Sequence, residues 1–345
     1  MENAGQIASN MFAMVLHRPG EPLRGEWRDV PAPGPGPGQV LLRVGACGVC
    51  RTDLHIVDAE LPPHRLPLVP GHEIAGIVVR AGEGVDASLV GRRVGVPWLG
   101  HTCGVCDFCR MHRENLCDQG RFTGYDIDGG YAQYTVADAA YCIALPDAYD
   151  DIEAAPLLCA GLIGFRAYSM VQKEAASIGI YGFGAAAHIL TQLALQDGRE
   201  VFAFTRPGDS RSQQFARSLG AAWAGDALHP PPAALDAALL FAPDGALVPA
   251  ALSHVRKGGD VICAGIHMSD IPAFPYALLW GERQLRSVAN LTRHDGEAFF
   301  QRVARRRIHT RSVPFPLDQA NQALDALRAG AFDGAAVLVP PTGQR

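Results

Sequence analysis

Nine of the 345 residues are cysteine, and several stand at spacings that suit metal chemistry. Cys103-Gly-Val-Cys106-Asp-Phe-Cys109 is followed, after a short loop, by Cys117. C-x-x-C-x-x-C spacing brings three sulfurs together along one turn-rich loop, and a fourth closes a tetrahedron. Four thiolates saturate a zinc ion and leave no open position, so such a site is structural. An iron–sulfur cluster uses similar spacings, although no Pro follows Cys117 as in the bacterial ferredoxin type. Unrelated buried thiols are the third reading. His101 stands close by and is not needed as a ligand. A second set is dispersed: Cys50-Arg-Thr-Asp-Leu-His55, then Gly71-His72-Glu73, then Leu158-Cys159-Ala-Gly161. One His and two Cys make three protein ligands and leave a fourth position for water or substrate.

Gly182-Phe183-Gly184-Ala-Ala-Ala187 points to different chemistry. It fits G-x-G-x-x-A between a strand and a helix. The glycines allow a tight turn and close approach of a pyrophosphate, and the small third residue allows helix–strand packing. An NAD enzyme usually ends the next strand with Asp or Glu, which binds the ribose 2′-hydroxyl. Here that strand ends Phe204-Thr205-Arg206. Thr205 removes the carboxylate that would repel a 2′-phosphate, and Arg206 can pair with one. NADP(H) is therefore favoured over NAD, with Asp209 in the following loop as a competing carboxylate.

These groups need elements to hold them. Up to about residue 155 the chain reads as short strands and turns: Phe12 to Leu16, Val40 to Val44, Ile74 to Arg80 and Arg93 to Val96, with a proline–glycine loop over Pro31–Gly38. Beyond it, strand-like runs (Ser177 to Tyr181, Glu200 to Thr205, Leu235 to Phe241, Val261 to Gly265, Leu285 to Asn290) alternate with helical ones ending near Gln196 and Leu219. That alternation predicts a doubly wound parallel sheet. The end of the chain offers a helix over Gln319 to Leu327 and an apolar strand, Ala335 to Val339. The expected division is 1–155 with 296–345 returning to it, and 156–295. The composition is 48% hydrophobic with a net charge of −5, which suits a folded two-domain protein and argues against a nucleic-acid binder. No apolar run is long enough for a membrane span or a signal segment, so a cytoplasmic protein is expected, where structural disulfides are rare.

The chain resembles the zinc-dependent alcohol dehydrogenases of the medium-chain dehydrogenase/reductase superfamily. The resemblance rests on Gly45-Ala-Cys-Gly-Val-Cys50-Arg-Thr-Asp53, Pro70-Gly-His-Glu73, the four-cysteine loop, Ala155-Pro-Leu-Leu-Cys159-Ala-Gly161 and Gly182-Phe-Gly184. It implies an α/β architecture: a GroES-like β-rich catalytic domain plus a doubly wound parallel-sheet (Rossmann) cofactor domain. It also implies two zinc ions per subunit, an NAD(P) cofactor and a homodimer or homotetramer. By position, Cys50, His72 and Cys159 match the catalytic zinc ligands, and Glu73 the carboxylate that transiently joins them. Asp53 matches the carboxylate that orients the imidazole of His72. Thr52 resembles the hydroxyl that bonds the substrate oxygen, and His55 the relay histidine. Arg51 and Arg293 match contacts to the cofactor phosphates.

The implied reaction interconverts alcohols and aldehydes or ketones by hydride transfer to a nicotinamide, with zinc as Lewis acid. Trp98 aligns with the aromatic wall of the alcohol pocket, Leu61 with its outer part, and Tyr125 is assigned to the same cleft. A large indole and Thr52 narrow that pocket, which favours primary alcohols. A reductase for aromatic, cinnamyl-type aldehydes using NADPH is the alternative within enzymes. A non-catalytic cofactor-binding relative is the alternative outside them, and it would have no need of Cys50, Thr52, His55, His72 and Cys159 together. Cys47, Cys142 and Cys263 read as packed thiols.

Overall fold

The computed structural model describes residue 7, residues 9–30 and residues 34–341. Residues 31–33 of the expected proline–glycine loop lie outside that range. Two compact units form: one from residues up to Cys159 together with those from Leu291 onward, the other from Ala160–Asn290.

The first unit opens on a hairpin of β1 (Asn10–Val15) and β2 (Arg24–Asp29). Its main sheet is built around β3 (Gln39–Val49), the longest strand. β3 pairs along one side with β4 (Ile74–Ala81) and leads into helix α1 (Arg51–Val57). β5 (Arg93–Val96) follows, then the small β6 (Leu99–His101), helix α2 (Asp107–Arg110) and β7 (Arg121–Phe122), which carry the cysteine loop. β8 (Tyr134–Asp138), β9 (Ile143–Ala144) and the short α3 (Asp151–Ala154) complete this stretch.

The second unit begins with α4 (Ala160–Ser169). It continues through β10 (Ser177–Tyr181), α5 (Ala185–Gln196), β11 (Glu200–Thr205), α6 (Ser210–Ser218), β12 (Trp223–Asp226), β13 (Leu235–Leu240), α7 (Leu247–His254), β14 (Val255–Cys263), α8 (Tyr276–Leu279) and β15 (Gln284–Ser287). The six strands are parallel in the order β12-β11-β10-β13-β14-β15. The order reverses between β10 and β13, which is where a doubly wound sheet takes its nucleotide. The last strand is shorter than the sequence suggested. It stops at Ser287, and Asn290 turns out of it at φ 61°.

The chain then returns to the first unit as α9 (Arg293–Arg305), β16 (Ser312–Pro316), α10 (Ala320–Ala329) and β17 (Ala335–Val339). α9 was not foreseen, although Thr292 and Asp295 form a reciprocal capping box at its start. α10 ends on Gly330 at φ 62°, where a side chain would be strained. The main sheet runs β16-β17-β3-β4-β5-β9, with β8 also on β3. β8 pairs with residues Gln39 to Arg43 of β3 and β17 with Cys47 to Val49. The C-terminal strand therefore seals β3 just before Cys50. Both sequence-derived architectures, the GroES-like β unit and the parallel α/β unit, are present.

Candidate functional site

Helix α1 and the entry to β4 create the first cluster. Cys50 is the N-cap of α1, its sulfur accepting the backbone N–H of Thr52 at 3.3 Å. Asp53 returns the bond, its Oδ2 accepting the Cys50 N–H at 2.8 Å. A cysteine and an aspartate thus replace the usual Ser and Glu of a capping box, fixing the sulfur and the carboxylate together. Asp53 Oδ1 then lies 3.3 Å from His72 Nδ1, with both residues fully buried. His72 Nε2 points the other way, 3.1 Å from Cys50 Sγ. Glu73 is buried beside it, and a Cβ on Gly48 would collide with its carboxylate. Glycine at position 48 of β3 is what makes room for this acid. Cys159 arrives from the far end of the unit, straight after the turn Ala155–Leu158.

One donor atom each from Cys50, His72, Glu73 and Cys159 lies within 4.8 Å of the others. Burial, and then the charge of Cys50, push the Glu73 carboxyl far above its usual range. The hydrogen bond between the two sulfurs draws the Cys50 thiol down and pushes the Cys159 thiol up. Burial alone would lower His72, but the charges of Cys50 and Asp53 outweigh it and raise it. Glu73 Oε2 has no hydrogen-bond partner. Two sulfurs, an unsatisfied carboxyl oxygen and an imidazole nitrogen brought this close together fit the donor set of a divalent cation.

The second cluster fits a metal without an open position. Sγ of Cys103, Cys106, Cys109 and Cys117 lie within 4.8 Å of one another. Cys103 is 3.5 Å from Cys117 and 3.9 Å from Cys109. Ligands at about 2.3 Å from a tetrahedral zinc stand about 3.8 Å apart. Cysteines bound to separate irons of a cluster are held wider than that by the cluster itself. The N–H groups of Val105 and Cys106 draw the Cys103 thiol down to about 6, favouring the thiolate a metal needs. His101 plays no part here; its Nδ1 lies 2.6 Å from Asp138. All nine cysteines are free of disulfides.

In the second unit, Gly182 turns at φ 88° and its N–H bonds Phe204 O. Gly184 caps α5 with no side chain, and nothing lies within 4 Å of where its Cβ would be. That open space beside Gly184 leaves room for a phosphate at the start of α5. Phe183 packs edge-on against Phe215, and Ala187 is fully buried against the sheet. Thr205 is buried, with its hydroxyl engaged by Gln213 and by the carbonyls of Arg206 and Gly225. Arg206 is exposed. Asp209 is committed to capping α6 through Ser212.

Trp98 stands edge-on to His72 at 4.9 Å, stacked with Phe122 and Tyr125. The Tyr125 hydroxyl bonds Pro62 O at 2.8 Å, and Leu61 packs on the same core. Thr52 is buried and Arg51 exposed on the first turn of α1. Arg293 is placed differently from its expected company. It begins α9, gives its backbone N–H and Nε to Glu114 in the cysteine loop, and lies over the Tyr141 ring. Sequence reasoning missed Glu114 and Glu60, the partner of His55, because neither sits at a spacing that announces a contact. Asp226, which accepts from Gly208 and Gln213 beside Thr205, was missed for the same reason.

A β-rich unit with an open Cys₂His-type cluster, joined to a doubly wound sheet with a glycine turn, defines the class of metal-assisted nucleotide dehydrogenases. The family described as "Alcohol dehydrogenase GroES-like domain" matches residues 36–147. The "Probable alcohol dehydrogenase AdhA" of Mycobacterium tuberculosis is 47% identical over 342 residues, covering 96% of this chain and 98% of that one. Among solved structures, acetophenone reductase from Geotrichum candidum in complex with NAD is 28% identical with a TM-score of 0.86, covering 97% of this chain and 98% of that one. A cobalt- and zinc-bound thermostable alcohol dehydrogenase from Pyrobaculum aerophilum is 26% identical with a TM-score of 0.85, covering 96% of this chain and all of that one. The chain belongs to the zinc-type alcohol dehydrogenases of the medium-chain dehydrogenase/reductase superfamily, enzymes that interconvert alcohols and carbonyl compounds with NAD(P).

Proposed function

We propose that this enzyme oxidises small primary alcohols, or reduces the matching aldehydes, with a catalytic zinc on Cys50, His72 and Cys159. The observation that carries this reading is the convergence of those three donors and Glu73 within 4.8 Å of one another. Zinc in this place supplies Lewis-acid chemistry toward an alcohol or carbonyl oxygen. The protein's own share is positional. Asp53 fixes the ring of His72 so that Nε2 faces the cluster. Glu73 provides a fourth donor that can come and go with the substrate. Thr52 bonds the substrate hydroxyl, and His55 takes the proton onward to solvent. The four-cysteine loop holds a second, structural zinc.

For the cofactor, Gly182, Phe183, Gly184 and Ala187 form the pyrophosphate turn, Arg51 reaches a phosphate, and Thr205 with Arg206 favours NADP(H). Arg293 serves as a further phosphate contact only if it gives up Glu114. Trp98, Leu61 and Tyr125 line the substrate pocket, and the bulk of Trp98 beside His72 favours a primary carbinol carbon. The same stack of Trp98, Phe122 and Tyr125 supports a second reading, reduction of aromatic aldehydes with NADPH. A reducing, cytoplasmic setting suits nine free thiols, and a homodimer or homotetramer is the expected assembly. No described helix is long and apolar enough to cross a membrane.

Metal analysis of Cys159→Ser tests the central claim. The variant should lose turnover and one of two zinc ions while keeping the other in the cysteine loop. Retained turnover, or an unchanged metal content, would remove Cys159 from the ligand set. A panel of primary, secondary and aromatic alcohols with both cofactors separates the two substrate readings.

A further inference from the structure

His55 has one side that the reaction above leaves unexplained. α1 ends at Val57, the chain turns back through Ala59 at φ 65°, and Leu61 N–H bonds His55 O at 2.8 Å. This turn brings Glu60 onto the imidazole, with Oε2 2.5 Å from Nδ1. The His55 side chain is 12% exposed and that of Glu60 53% exposed, so the pair runs from inside the unit to water. We propose that Glu60 is a positioning residue for proton transfer, one that selects which nitrogen of His55 receives the proton and stabilises the ring once it is charged. This rests on the reading of His55 as the relay histidine.

An ionised carboxylate can only accept, so Nδ1 must carry a hydrogen and Nε2 is left with the lone pair. During alcohol oxidation the substrate O–H bond breaks, the Thr52 hydroxyl takes up that proton and releases its own, and the released proton forms an N–H bond at Nε2 of His55, where the imidazolium is balanced by Glu60 at the other end of the ring. A water molecule or buffer base then takes that same proton from Nε2. The ring returns neutral with Nδ1–H unchanged, and Glu60 stays ionised throughout. Asp58, Asp53 and Arg18 near this turn have other partners. Asp58 is bonded by Arg328 of α10 at 2.7 Å, and Arg328 also bonds Asp325. Asp53 faces inward to Cys50 and His72. Arg18 pairs with Glu21 in the loop whose Gly20 N–H bonds Val57 O. Arg51 is exposed at the opposite end of the helix.

The test compares the wild-type zinc enzyme with Glu60→Gln, Glu60→Asp and His55→Gln in single-turnover alcohol oxidation from about pH 6 to 9. Glu60→Gln should lower the plateau rate about three- to tenfold. Glu60→Asp should restore most of that rate, and zinc content and cofactor affinity should not change. Nitrogen-15 histidine spectra of the resting enzyme should show an Nδ1–H tautomer at His55 that Glu60→Gln no longer enforces. A wild-type profile and unchanged tautomer in Glu60→Gln, with the profile altered in His55→Gln, would overturn the role of Glu60 alone. An unaltered profile in His55→Gln would overturn the relay reading, and this proposal with it.

Discussion

The proposed preference for NADP(H) turns on one exposed side chain, Arg206. It ends β11, and each nearby carboxylate has a task that keeps it from answering for a ribose hydroxyl. Asp209 caps α6, and Asp226 accepts from Gly208 and Gln213. The end of the strand is left with a guanidinium and the buried hydroxyl of Thr205. Arg206→Ala should therefore raise the dissociation constant of NADPH about tenfold, a loss of about 1.4 kcal/mol, and change that of NADH less than twofold. Fluorescence titration of both cofactors checks it, and equal effects would take Arg206 away from the phosphate. The lack of an acid at the end of this strand was legible in Phe204-Thr205-Arg206. Glu60 was not, because it reaches His55 across a turn whose course depends on backbone conformation, and Glu114 was not, because its partner Arg293 is distant in sequence.

At the scale of elements, the parallel sheet has a polar tie at its base. Asp236 at the start of β13 accepts the N–H groups of Ala176 and Ser177 at 2.6 and 2.8 Å, and pairs with Arg256 at 2.5 Å. Burial would raise this carboxyl, but the two N–H groups and Arg256 more than offset it and hold it below its usual value. The bonds register β10 against β13, the two strands that flank the nucleotide crevice. Asp236→Asn should cost about 1–2 kcal/mol at neutral pH, since the amide keeps one accepting oxygen but loses the charge. A depressed carboxyl contributes its stability above the unfolded value of about 3.9 and loses it as pH falls through the lower folded value. The penalty in urea unfolding should thus be constant from neutral pH to about pH 5 and shrink only in stronger acid. A penalty that already vanishes at pH 5, or none at neutral pH, would assign the tie no such weight.

For the whole molecule, the important fact is that the last strand belongs to the first unit. Ala336, Val337 and Leu338 are fully buried and pair with Val49, Gly48 and Cys47, directly before the proposed ligand Cys50. Burying Val337 and Leu338 alone is worth about 3–6 kcal/mol, a large share of the 5–15 kcal/mol that typically holds a domain. A chain ending at Gly334 should lose the zinc at Cys50 and its turnover, as metal analysis and a rate assay would show. A truncated chain that keeps both would mean β3 holds its edge unaided.

The residues themselves determined much of this protein. The clustering of Cys103, Cys106, Cys109 and Cys117 was readable because all four fall within one short segment, where spacing alone limits how far sulfurs can separate. The glycine turn was readable for the same reason, and the strand–helix alternation because a parallel sheet needs a crossover between neighbours. Cys50, His72 and Cys159 could be singled out as candidate ligands, but only the family resemblance assigned them to one site, since no local rule relates positions so far apart. Tertiary structure decided the rest. It set a capping box that aims Cys50 and Asp53 together, a glycine in β3 that admits Glu73, and a return of the chain that seals the strand behind them. It also gave Arg293 to Glu114 and His55 to Glu60, pairings made by packing. Short-range sterics are written residue by residue, whereas the burial that fixes a charge beside its partner exists only once distant segments have met.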